Sequence, residues 1–79
     1  LGEMRIMGIE GDNKMTWDPE NLAEVKAVKE HFENHVNAKD KKKRFLAFYV
    51  DKEGGKGKRM DVFDPKAGMI ILVPPIGGG

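Results

Sequence analysis

A chain of 79 residues has room for one small domain, and such a domain buries only about 60% of its unfolded surface. The absence of cysteine excludes disulfides and thiolate metal sites, and a net charge of +1 gives no general pull toward nucleic acid or membrane. No apolar run approaches the roughly 20 residues of a membrane span and no signal-peptide pattern is visible, so a cytoplasmic protein is expected; Leu1 and Met4 are both open as its natural start.

Residues 4–10 carry apolar side chains on both alternating sets, as expected of an inner strand. Gly11, Asp12, Asn13 and Lys14 form a turn cluster, after which Met15 and Trp17 alternate with polar residues. Together the two stretches predict a β-hairpin.

A helix follows, and its start is signalled twice. Asp18-Pro19 offers an N-cap with proline at the first helical position, while Asn21 to Glu24 has the spacing of a capping box. Leu22, Val25, Val28, Phe32 and Val36 recur at spacings of three and four, an apolar stripe that predicts packing on one sheet face. Lys29 falls within that arc and must snorkel or lie at its edge. The helix is expected to end near Asn37 and Ala38.

Residues 39–44 form a charged connection into residues 44–51, which are dense in aromatic and β-branched types and predict a strand. Residues 52–57 read as a loop. Residues 58–63 alternate apolar and polar at Met60 and Val62, as in a short edge strand, and residues 64–68 read as a turn with Pro65 at a favoured second position. The final run, Met69-Ile70-Ile71-Leu72-Val73, predicts a strand buried on both faces. Pro74 lacks the N–H a ladder needs and stops it, and Pro74 with Pro75 holds the exit stiff and extended. Strand, strand, helix, strand, short strand, strand is an α+β order with the helix on one sheet face.

Several groups have competing readings. His31 and His35 stand one helical turn apart, close enough to share a metal ion, but the glutamate between them is displaced from the zinc-protease spacing. Both fall beside the apolar stripe, so an ordinary amphipathic placement and no metal site is expected. Lys39 and Lys41 to Arg44 follow a helix C-terminus, where cations are favoured, and are read as solvated surface, with contact to phosphates or docking of an acidic partner as the rival readings. Gly54-Gly55-Lys56-Gly57 lacks the spacing and following hydroxyl of a phosphate loop. Trp17, Phe45, Phe48, Tyr49 and Phe63 are expected mostly in the core.

The order of elements, the size and the tail resemble the β-grasp, or ubiquitin-like, fold. The tail Pro74, Pro75, Ile76, Gly77, Gly78, Gly79 is similar to that of the sulfur-carrier branch (MoaD/ThiS-like, including the small subunit of molybdopterin synthase). There a hydrophobic strand is followed by Pro-Pro, an apolar residue, a small residue and Gly-Gly. Asp64 to Gly68 also resembles the turn before that strand. The resemblance implies a domain over residues 1–76 with a glycine tail at 77–79, and a last strand placed centrally and parallel to the first. It also implies a mixed sheet of four to five strands.

In function, the resemblance implies a carrier and not an enzyme, with no catalytic residue and no bound cofactor. Gly79 and Gly78 would be the activated end, threaded with Pro74, Pro75, Ile76 and Gly77 into the channel of an adenylating enzyme that uses ATP. Glycine suits that channel because it lacks a Cβ and adopts backbone angles closed to other residues. Further partners would be a sulfur acceptor enzyme or target-protein lysines, and the carrier itself a monomer binding neither nucleic acid nor membrane. The sheet face away from the helix is a common docking surface in this fold. Phe45, Ala47 and Tyr49 point opposite to Leu46, Phe48 and Val50, so one set must cover that face; Phe45 and Tyr49 are the expected docking residues. The alternative is a non-covalent binding module with an inert tail.

Overall fold

In a computed structural model describing residues 1–8, 13–50 and 57–75, the chain forms one α-helix against a five-stranded mixed sheet. The strands are β1 (Gly2–Ile6), β2 (Asn13–Trp17), β3 (Leu46–Val50), β4 (Lys58–Met60) and β5 (Met69–Val73), and the helix is α1 (Leu22–Val36). Their order in the sheet is β2-β1-β5-β3-β4. β5 therefore lies centrally, parallel to β1 and antiparallel to β3, while β1 and β2 pair as the expected antiparallel hairpin. The parallel pairing runs past the strand ends, since Glu3 donates to the Gly68 carbonyl and Met7 to the Leu72 carbonyl.

Of the two helix-start signals, the one at Asn21 sets the helix start, and Asp18-Pro19 forms the turn before it instead of the cap. Asn21 is the N-cap, its side-chain oxygen accepting from the Ala23 and Glu24 amides at 3.1 and 3.2 Å. Asp18 closes the turn before it by accepting from the Glu20 amide, and Glu24 reaches back to accept from the Asp18 amide. The helix ends at Asn37, as its spacing predicts.

The core is wholly apolar among the described residues. Val28 and Phe32 of α1 meet Met4 and Ile6 of β1, Trp17 of β2, Ala47 of β3, Met60 of β4, and Ile70 and Leu72 of β5. Phe63 stacks at tilted angles between Trp17 and Phe32, with ring centroids 5.3 and 5.7 Å away. The Trp17 indole N–H donates to the Pro65 carbonyl at 3.0 Å, which satisfies its one polar group. Beneath that ring lies Gly2, where any Cβ would fall inside the indole. β1 thus uses residues ahead of Met4 as structural elements.

Three expectations need correction. Leu22 is 81% exposed and not part of the packed stripe; its turn is held by capping bonds and extends past the apolar contact. Val62 is 75% exposed while Phe63 is buried. β4 stops at Met60 and the chain bends at Asp61 and Val62, so the alternation no longer applies and the next residue swings into the core. β5, expected to be buried on both faces, is fully buried only at Ile70 and Leu72, and its other three side chains are half-buried.

Candidate functional site

The site expected from the sequence has two parts, the end of β5 and the sheet face away from α1. Asp64 prepares the first: its carboxylate accepts from the Lys66 amide and its carbonyl from the Ala67 amide, a tight turn that aims the chain into β5. The strand then runs between β1 and β3 to Val73, which pairs with Leu46. Pro74 and Pro75 follow outside the ladder and are half-buried. Ile76, Gly77, Gly78 and Gly79 lie outside the described residues, as do residues 52–56 of the expected loop with residue 51 before them, and residues 9–12, which span the end of the first expected strand and the start of the turn.

The open face divides along the sheet. On β1 and β2 it is polar: Glu3 accepts from Arg5 Nε at 2.7 Å and pairs with Lys14 Nζ of the neighbouring strand at 3.3 Å. The hydrogen bond from Arg5, then that from Lys14, holds the Glu3 carboxyl below its ordinary range despite an opposing desolvation. On β5 and β3 the same face is apolar, with cross-strand pairs Leu46–Val73, Phe48–Ile71 and Val50–Met69. All six are half-buried or exposed, and Leu46 is 40% exposed. Arg59 of β4, paired with Phe48, bounds the strip on its far side.

Phe45 and Tyr49, expected at the docking surface, are placed on the other face. Both pack against the core under α1, and the Phe45 ring meets His35 edge-on at 4.8 Å. The exposed set is Leu46, Phe48 and Val50. Ala47, the second residue of β3, is buried in the cluster that holds Val28 and Phe32 of α1, and strand alternation puts Phe45 and Tyr49 on that same face.

His31 and His35 stack with ring centroids 6.0 Å apart, and His35 Nδ1 lies 2.8 Å from the His31 carbonyl. One nitrogen of the pair is thus already engaged. Among the described residues no three His, Cys, Asp or Glu side chains group as metal ligands, and no helix is long and apolar enough to cross a membrane.

Residues 39–44 are built as a ledge. Asp40 caps a 3₁₀ turn (Lys41–Lys43) by accepting from the Lys42 amide, and Arg44 Nε donates to the Ala38 carbonyl at 2.7 Å. Phe45 N–H donates to the His35 carbonyl, which ties the ledge to the end of α1. Next to it lies a hollow of about 260 Å³ where β4 leaves β3, a feature with no sequence signal because it depends on where β4 bends. A second hollow of about 390 Å³ lies at the other end of β3, among Tyr49, Met60, Val62 and Lys66.

Comparison with known protein families, curated proteins and solved structures finds no match to this chain.

Proposed function

We infer that the chain is a ubiquitin-like, β-grasp carrier whose Gly79 carboxylate, encoded or exposed by trimming, is charged by an adenylating partner. The observation that carries this reading is the position of β5. The strand before the Pro74-Pro75-Ile76-Gly77-Gly78-Gly79 tail is the central strand of the sheet, parallel to β1 and locked between two neighbours. A tail rooted there is anchored to the whole domain, so a partner pulling on it does not unravel an edge.

In the proposed reaction a Gly79 carboxylate oxygen attacks the α-phosphate of ATP and pyrophosphate leaves. Hydrosulfide, or its equivalent on a sulfur donor, then displaces AMP from the acyl-adenylate and leaves a thiocarboxylate for a sulfur acceptor. Capture by an enzyme thiol and then a lysine amine would give an isopeptide-linked modifier through the same adenylate. The acid-base and phosphate-binding groups belong to the partner. The apolar strip on β3 and β5 supplies the body contact, since an unpaired apolar sheet face beside the tail is suited to an interface.

A second reading draws on that same strip: a non-covalent binding module that uses Leu46, Phe48 and Ile71 and leaves the tail idle. Mass spectrometry after incubation with an adenylating enzyme, ATP and a sulfide source separates the two. The carrier gains the mass of sulfur less that of oxygen, whereas a modifier gives adducts on lysines. An unchanged mass, with partner binding intact after removal of Gly79, would decide for the binding module.

A further inference from the structure

We propose that the hollow where β4 leaves β3, together with the cationic ledge beside it, is a docking site for an acidic protein segment carrying one large apolar anchor. This proposal does not rest on the tail reading.

Charge carries the first half of the argument. Residues 39–44 hold five cations and one carboxylate, a local charge of +4, so the remaining chain must carry −3 to reach the net +1. The ion pairs found among the described residues join Glu3 to Arg5 and Lys14 on the far strands, and none involves the ledge. Asp40 is committed to its capping bond. Lys41, Lys42, Lys43 and Arg44 are all exposed, and Arg59 adds a further cation at the hollow, against the one rim carboxylate of Asp61. The ledge therefore presents a concentrated positive charge that no ion pair among the described residues compensates, complementary to an acidic partner.

Shape carries the second half. The hollow is lined by apolar Phe45, Ala47 and Met60 under the rim of Arg44, Arg59 and Asp61. Its volume of about 260 Å³ falls below the roughly 300–1,000 Å³ of small-molecule sites and suits a single anchor side chain. Strand pairing ends at Ala47–Met60, so Leu46 has β5 on one side and no β4 partner on the other. That free edge offers backbone bonds to an extended segment.

Other polyanions fit less well. An extended nucleic acid would meet the −3 carried elsewhere, and the aromatic ring at the site, Phe45, is packed against His35 and offers no stacking platform. A membrane surface calls for an amphipathic helix with its cations along one face, whereas these cations sit on a three-residue turn.

The test is an amide NMR titration of the full chain with a short synthetic peptide of Asp and Glu around one central leucine. Parallel titrations use the same peptide with serine for leucine, single-stranded DNA, and phosphatidylserine vesicles. The proposal expects shifts centred on residues 44–47 and 59–61, and binding about tenfold weaker for the serine peptide and for the Lys42→Glu/Lys43→Glu variant. These lysines are exposed, and an unchanged spectrum elsewhere confirms that the variant is folded. Absent shifts, shifts centred elsewhere, affinity indifferent to charge reversal, or tighter binding of DNA or vesicles would each overturn it.

Discussion

The two faces of β5 are made of nearly the same material and meet different fates. Ile70 and Leu72 are fully buried beneath α1, whereas Met69, Ile71 and Val73 stay half-buried on a face that no element of the described chain covers. The contrast repeats on β3, where Ala47 is buried and Leu46 is 40% exposed. Hydrophobicity alone therefore does not assign a side chain to the core. Which face the single helix covers decides it, and the uncovered face keeps its apolar character for another use.

The largest expected effect tests that contrast within one strand. Leu72→Ala should lose about 2–5 kcal/mol of stability, because a fully buried leucine leaves both lost burial and a cavity. Ile71→Ala, one residue away, should lose about 1 kcal/mol or less and retain the cooperative transition. Urea denaturation of the two variants reads the difference, and equal losses would break the comparison.

Next comes the contact that seats the covered face at the sheet edge. Gly2→Ala should destabilise by about 1–3 kcal/mol, since its Cβ would overlap the Trp17 indole, itself held by Pro65 and Phe63. Tryptophan fluorescence should follow the loss, with emission shifting to the red as the ring loosens.

The helix start gives a smaller effect. Asn21→Ala removes the acceptor for the Ala23 and Glu24 amides and should cost about 1 kcal/mol. Leu22→Ala, immediately beside it, should change stability by about 0.5 kcal/mol or less because that side chain is exposed. Thermal melts of both would show whether the capping bonds or the apolar stripe hold the first turn.

The smallest effect lies on the polar half of the open face. Glu3 has its carboxyl pKa lowered in the folded state by Arg5 and then Lys14, from an ordinary value of 4.5. Its contribution is therefore present above about pH 4.5 and is lost as the pH falls through the folded value. Glu3→Gln should remove that small contribution at neutral pH and leave stability below the folded value nearly unchanged, so urea denaturation at a series of pH values should read a flatter acid side of the profile.

Much of this was legible in the sequence, for identifiable reasons. The five-residue apolar run of β5 stopped by Pro74, the N-cap at Asn21 and the Asp64-Pro65 turn are local chemistry, and each appears where its residues demand. The assignment of faces was not legible, because both alternating sets of β3 are apolar and only the small Ala47 distinguishes them. Val62 misled because alternation describes a strand only while the strand lasts, and the chain bends at Asp61 and Val62 before Phe63 enters the core. The ledge was visible as a charge run, but the hollow beside it depends on where two strands part.

The most direct test of the proposed carrier is ATP–pyrophosphate exchange by an adenylating enzyme, measured with the chain ending at Gly79 and with the same chain lacking that residue. The account predicts exchange that depends on the chain and disappears when Gly79 is removed, while the shortened protein melts at the same temperature. Exchange of equal rate with both, or none with either beside an enzyme that binds the body tightly, would contradict it.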